Sequence, residues 1–285
     1  MAGSSMNRRP RVGDGPVAKP LILGLVLITT ALAIVGPLVV IFVEALKLGL
    51  GTYLANLATP DTRHAIWLTV ATALVAVPIN TAFGIAAAYA IAKFEFRGKG
   101  LLTALVELPF SISPIVAGVA YLFVYGAQGW FGPYLQEAGI KIMFAYPAIV
   151  LASLFVTAPF VAREILPLMQ AQGSSEEEAA LSLGASGWRT LFSVTLPNIR
   201  WALFYGVLLT NARVMGEFGA VSVVSGSIRG VTNTTPLQIE LLYQDYNAAG
   251  AFAAATVLAG IALLTIVGKI VVERMDPDAG SGKAG

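Results

Sequence analysis

The chain has 285 residues, of which 56% are hydrophobic and 12% charged, with a formal net charge of +2. A chain this apolar is not an ordinary soluble domain, and without a basic patch interleaved with aromatics nothing in it calls for nucleic acid. It has no cysteine and one histidine, His64, which excludes disulfides, cysteine zinc sites, a thiol nucleophile and a histidine metal cluster.

Residues 1–20 are polar, with Arg8, Arg9, Arg11 and Lys19 among Pro and Gly, and are expected to form a disordered tail. The following run, Leu21 to Val43, is too long for the apolar part of a signal peptide and long enough to span a bilayer. Five more runs of spanning length follow: Ala65 to Ala92, Leu101 to Tyr125, Tyr146 to Leu168, Trp201 to Val224 and Ala249 to Val272. Lipid offers an exposed backbone N–H or C=O no partner, so each run predicts a helix. Pro37, Pro78, Pro109, Pro114 and Pro159 fall within spans and predict kinks. The result is an all-α polytopic membrane protein of about six transmembrane helices over 21–272, with a second loose tail at 273–285. Six spans put both termini on one side. Lys and Arg fix which side. With the N-terminus inside, thirteen fall on inner segments (Lys93, Arg97, Lys99, Arg163, Arg189 and Arg200 among them) and four, Lys47, Arg63, Lys141 and Arg229, fall outside. Both termini are thus expected in the cytoplasm.

Between the fourth and fifth spans the composition changes. Residues 174–197 open with three consecutive carboxylates, Glu176, Glu177 and Glu178. Ser174 and Ser175 each stand three residues before a glutamate, the spacing of a capping box, and acidic side chains suit the positive end of a helix dipole. Gly184 and Gly187 permit a reversal, after which Trp188 to Leu196 predicts a second short helix limited by Pro197. The first arm carries Ala179, Ala180, Gly184 and Ala185, small residues that let another surface approach the backbone. The plain alternative is a solvated loop joining two spans.

Glu178-Ala179-Ala180, then Gly184 and, after a fixed gap, Leu196-Pro197 resembles the EAA loop of ABC importer permeases, with Val194 at a branched aliphatic position. The resemblance implies the ABC importer type I permease fold. It also implies a cytoplasmic coupling hairpin that seats Glu178, Ala179, Ala180, Gly184, Leu196 and Pro197 in a groove of a separate ABC ATPase subunit. A second stretch, Leu108-Pro-Phe-Ser-Ile-Ser-Pro-Ile-Val-Ala-Gly118, is similar to the LPF-x-x-SP run of sulfate and molybdate permeases. Gly216-Glu-Phe-Gly-Ala-Val-Ser-Val-Val-Ser-Gly226, with Pro236-Leu-Gln-Ile-Glu-Leu-Leu and Asp245-Tyr-Asn, resembles the CysW-type sulfate/thiosulfate permease family. What this implies is an inner-membrane permease subunit rather than an enzyme, importing sulfate or thiosulfate. Its expected partners are a second homologous permease, ABC ATPase subunits, an extracytoplasmic sulfate-binding protein and membrane lipid. Molybdate and tungstate permeases share parts of these motifs and stand as the alternative. No G-x-x-x-x-G-K-[ST] loop occurs, so ATP and Mg belong to the partner ATPase and no cofactor is expected on this chain.

Arg213 and Glu217 are expected near the middle of the fifth span, four apart and therefore on one helix face. An ionisable group at that depth costs roughly 3 kcal/mol on insertion scales and must be paired or wet. Two readings stay open: a salt bridge that only holds the bundle, or Arg213 beside the anion route with Glu217 orienting it or facing the partner permease. Glu107 poses the same question in the third span. Ser111, Ser113, Ser222 and Ser225 are candidate hydroxyl donors along the path, though serine is also a common helix-packing residue. On the outer side, Thr235-Pro236-x-Gln238 has capping-box spacing and predicts a short helix at the membrane interface bearing Leu237, Leu241, Tyr243 and Tyr246. A stand-alone secondary transporter would need coupling-ion carboxylates or inverted repeats, and neither is visible.

Overall fold

The structure, a computed structural model, describes residues 18–275, so most of each expected tail lies outside the described residues. The regular structure among those residues is entirely helical, with no strand. Helix α1 runs Lys19–Leu46 with a π-helical turn at Ala31–Val35, followed by the short α2, Leu50–Leu57. Next come α3, Pro60–Lys93, α4, Lys99–Ser111, α5, Pro114–Tyr125, and the single-turn α6, Gly132–Glu137. Helix α7 is Tyr146–Gln172, α8 is Ser175–Ser182, and α9 is Gly187–Met215 with a π-helical turn at Leu191–Thr195. The chain closes with α10, Gly219–Val224, α11, Thr235–Gln244, and α12, Ala248–Met275.

Helices α1, α3, α7, α9 and α12 are each long and apolar enough to cross a membrane, and α4 with α5, bent by 109° at the break between them, passes the same test as a pair, with the geometry of a broken span or a re-entrant loop. The expected single helix over Leu101 to Tyr125 is therefore corrected to a broken one. Ile112 and Ser113 are extended, with ψ of 130° and 133°; for Ser113 the cause is the ring of Pro114, which pushes the residue before it out of the helical region. The expected fifth span is also shifted. Its helix starts at Gly187 and ends at Met215, and the chain breaks over Gly216, Glu217 and Phe218 before α10 begins. Pro197 limits nothing: it lies inside α9, two residues past the end of the π turn, as Pro37 lies two past the π turn of α1. The extra residue of a π turn accommodates the proline ring and its missing N–H, which otherwise break an α-helix.

The most extensive contact in the bundle is between α3 and α7. No hydrophobic force drives helices together within lipid, so close packing and hydrogen bonds must do it. The buried face of α3 is accordingly built from small residues, with Ala65, Ala73, Ala76, Ala87 and Ala88 around Gly84. A Cβ on Gly84 would stand 2.7 Å from Cβ of Val161, so only glycine fits. Four residues before it, Asn80 Nδ2 donates across the same seam to the Leu154 carbonyl (3.0 Å) and Thr157 Oγ1 (2.6 Å). Helix α1, by contrast, leaves Leu21, Leu25, Leu27 and Leu32 exposed, a surface fit for lipid.

Helix α11 packs against α3 and α12, with Leu237 and Gln238 buried and Glu240, Tyr243 and, just beyond the helix, Tyr246 exposed. No capping box forms at Thr235. Its N–H donates to Thr69 Oγ1 of α3 at 2.8 Å, and Gln238 Oε1 accepts from Asn233 Nδ2 at 2.5 Å.

Candidate functional site

The two helix breaks pack on each other, so the motif stretches around Pro114 and Gly219 meet. A Cβ on Gly118 of α5 would stand 2.9 Å from the Ala220 carbonyl of α10, and one on Gly219 would stand 3.1 Å from Cβ of Pro114. Ser111 and Ser113 are exposed at this junction, and the Ser113 side chain makes no capping bond to α5. The other two candidate serines are committed locally. Ser222 Oγ donates to the Gly219 carbonyl (2.9 Å), and Ser225, fully buried, accepts from the Ser227 N–H (3.1 Å).

Arg213 and Glu217 form the expected ion pair, Nη1 to Oε2 at 2.8 Å. They do not share a helix, however: Arg213 is in the last turn of α9, and Glu217 lies past the capping residue Gly216. Its other oxygen accepts from the Ala220 N–H at 3.0 Å. One carboxylate thus fastens the end of α9 to the start of α10, and its competition for local backbone donors helps to end the helix. The Glu217 side chain is 1% exposed and that of Arg213 is 35% exposed.

At the other end of the molecule α8 and the start of α9 form the expected hairpin. Gly184, at φ +87°, makes the reversal, a conformation that glycine adopts without strain. Gly187 does not contribute to it and instead begins α9, capped by Ser186 Oγ, which accepts from the Arg189 N–H at 3.4 Å. The expected capping boxes are absent. The Ser174 hydroxyl donates to the Glu178 carboxylate instead of accepting from a backbone N–H, and Glu176 accepts from the Asn198 amide. Glu177 pairs with Lys93 of α3 at 2.8 Å and accepts from Thr195 Oγ1 at 3.2 Å. Partial burial works to raise the Glu177 carboxyl. The hydrogen bond from Lys93, the backbone N–H, the charge of Lys93 and the Thr195 hydroxyl outweigh it and hold the carboxyl below the usual glutamate value.

With its carboxylates turned to these internal partners, the hairpin presents an apolar face. Leu183 is 89% exposed, and Trp188 and Phe192, stacked on each other, are 73% and 63% exposed. Glu178, Ala179 and Gly184 are exposed beside them and Ala180 is half-buried. Pro197 is exposed, whereas Leu196 packs inward against the cluster of Ala88, Val161, Ile165, Met169 and Ile199.

One charged residue takes a position that the Lys and Arg count did not anticipate. Arg163 lies inside α7, exposed, with its guanidinium 4.8 Å from the ring centroid of Phe110 near the end of α4. Glu107 and Thr103 line the same narrow crevice. The signal was present in the sequence as a lone charge inside an apolar run. A separate cavity of about 390 Å³ between α1, α9 and α12 is lined by Leu38, Ile41, Met215, Leu258 and other apolar groups, and offers an anion no donor.

Residues 80–279 match the family of binding-protein-dependent transport system inner membrane components. The chain is 53% identical over 255 residues to the sulfate transport system permease protein CysW of Escherichia coli (strain K12), covering 90% of this chain and 88% of that protein. It is 32% identical over 246 residues to the sulfate transport system permease protein CysT of the same strain, covering 86% and 89%. Among solved structures, a bacterial alginate ABC transporter in complex with an alginate pentasaccharide-bound periplasmic protein matches with a TM-score of 0.74. At 16% identity, over 94% of this chain and 96% of that one, the likeness is one of fold.

Proposed function

The chain belongs to the family of binding-protein-dependent transport system inner membrane components, and from that premise we propose how it works as the membrane permease subunit of a sulfate ABC importer. The observation that carries this reading is the likeness to CysW, maintained over 90% of the chain. The hairpin of α8 and α9 docks on an ABC ATPase subunit. In support, Leu183, Trp188 and Phe192 are uncovered while the carboxylates are occupied within the chain, so apolar and small residues meet the partner. The hairpin faces the cytoplasm, in keeping with Lys93, Arg97, Lys99, Arg189 and Arg200 at its end of the bundle.

The second permease is a CysT-like chain, since CysW and CysT are distinct proteins in one strain and this chain is nearer the first. A sulfate-binding protein supplies substrate from the side opposite the hairpin. It provides the affinity, because a tight site inside the membrane would trap a dianion.

We assign the anion route to the junction of the two breaks. Irregular backbone at membrane depth is tolerated where it is buried in protein or lines a wet cavity, and Ser111 and Ser113 are exposed there. Arg213 contributes positive potential from the end of α9, and Arg163 from α7. Arg163 lies nine residues from the end of α7 and its ring partner Phe110 eleven from the start of α4. At 1.5 Å per residue these are about 14 and 16 Å from the helix ends, so both lie within the spans rather than at their ends. An uncovered cation at that depth faces water or protein rather than lipid.

The test is labelled sulfate uptake by cells that lack their own sulfate permeases but express this chain, a CysT-type permease, an ATPase and a sulfate-binding protein. Uptake should appear and should resist excess molybdate. Molybdate uptake without sulfate uptake would favour the molybdate reading. In the same cells Arg163→Gln should lower uptake at an unchanged membrane level of the chain; full uptake would remove Arg163 from the route.

A further inference from the structure

Lys93 is the last residue of α3, and its side chain is only 7% exposed although it carries a charge. Its ammonium ion-pairs with Glu177 in the first turn of α8 at 2.8 Å and donates to the carbonyl of Gly173, the residue that ends α7. Glu177 in turn accepts from Thr195 in the π turn of α9 at 3.2 Å. Four helices therefore meet through one cation and one carboxylate. The electrostatics of the helix ends agree with this: α3 and α7 present C-termini, which favour a cation, and α8 presents an N-terminus, which favours an anion.

The other polar contacts of the hairpin, Ser174 with Glu178 and Glu176 with Asn198, do not reach α3. The hairpin is joined to its neighbours in the chain through Gly173, at φ +68° and ψ −155°, and Gly184, at φ +87°. Both are glycines in conformations where a small backbone rotation swings α8. Without a lateral tie, a displacement of α8 would be taken up at these two glycines. With it, the displacement reaches α3, a continuous helix of 34 residues with Pro78 inside it, which packs along α7. Near its far end α3 is bonded through Thr69 to Thr235 of α11.

We propose that Lys93 is a positioning residue for transport: its ion pair with Glu177 converts movement of the hairpin into movement of α3 and α7. The proposal rests on the reading of the hairpin as the ATPase-docking element. The test uses the purified complex of this chain, its partner permease and the ATPase in vesicles, supplied with the sulfate-binding protein. Sulfate moved is measured per ATP hydrolysed, a ratio that does not depend on how much of a variant folds. Lys93→Met, which keeps the apolar stem, should retain the ATPase and hydrolyse ATP, while the ratio falls by about tenfold, within the range usual for coupling between sites. Lys93→Arg, which keeps the charge, should restore most of the ratio. A Lys93→Met complex that moves as much sulfate per ATP as the native one would overturn the proposal, as would a Lys93→Arg complex no better than Lys93→Met. If the native chain holds no ATPase at all, the docking reading itself fails, which is a separate outcome.

Discussion

Arg213→Leu and Glu217→Leu should differ in severity, because the partners of this ion pair are buried to different degrees. The Glu217 side chain is 1% exposed and its only other bond is to the Ala220 N–H, whereas Arg213 is 35% exposed. Removing the guanidinium leaves a carboxylate charge in surroundings with no water to take it. Breaking a buried pair from one side costs about 3–5 kcal/mol. Removing the carboxylate leaves a guanidinium still partly solvated, for which the exposed-pair value of about 0–1 kcal/mol applies, together with about 1–3 kcal/mol for the buried Ala220 N–H left without an acceptor. Arg213→Leu should therefore be the worse, by about 1–2 kcal/mol between the centres of these ranges. Replacing both with leucine should restore the chain to near its native level, since no charge is then stranded. The assay is membrane level and thermal aggregation in detergent for the native chain, both singles and the double, with sulfate uptake measured alongside. The double should recover protein while uptake stays low, because leucines offer a dianion no positive potential. Greater damage from Glu217→Leu than from Arg213→Leu would refute the burial argument, and full uptake in the double would remove Arg213 from the anion route.

Leu183→Glu places a charge on the face proposed to dock, at a residue 89% exposed, so it should leave the membrane level unchanged and reduce the ATPase that co-purifies. It is a cleaner probe than any change at Gly184, where φ of +87° adds backbone strain of roughly 1–2 kcal/mol for an L side chain. Undiminished co-purification would argue against docking there. The carboxyl of Glu177 is held below its ordinary value. The stability it lends the hairpin is therefore full above the unfolded glutamate value of about 4.3 and is lost as pH falls through the lower folded one. Protease cleavage near Gly173 and Gly184 should rise over that acidic window in the native chain. In Lys93→Met the loss should be shifted upward, and an identical pH profile in the two would contradict the sign. The chain has no cysteine of its own, so single cysteines report orientation. Tyr246→Cys, at a 97% exposed position, should react with an impermeant thiol reagent in intact cells and Ser174→Cys should not. Asn233, although in the same outer segment, is 1% exposed and unsuited to the test. Labelling of position 174 would invert the topology.

The spans were legible because each is a long apolar run, and length against bilayer thickness is a local property. The breaks were not. Pro114 reads as a tolerable kink and Gly216 as part of an unbroken apolar run, and beyond the local push of the Pro114 ring the two breaks are packed together by a tertiary contact of α5 with α10, where Gly118 meets Ala220. The start of α9 was misread because its polar first turns precede the apolar run and Pro197 reads as a stop, an effect the π turn absorbs. The hairpin was legible in outline, through Gly184 and the run of carboxylates, but its capping was not, because Glu177 is taken by Lys93 and Thr195; at α11, likewise, Thr235 is taken by Thr69. Partners that arrive from distant segments leave no trace in local spacing. Arg163 was visible all along as a charge within a span, and counting it with the inner segments obscured its depth.

Vesicles containing this chain, a CysT-type permease and the ATPase provide the most direct test, with ATP on the hairpin side and sulfate with its binding protein on the other. Sulfate should accumulate only while ATP is hydrolysed, and accumulation should vanish when this chain is left out. Sulfate that crosses vesicles holding this chain without any ATPase would contradict an ATP-driven permease and point to a stand-alone transporter instead.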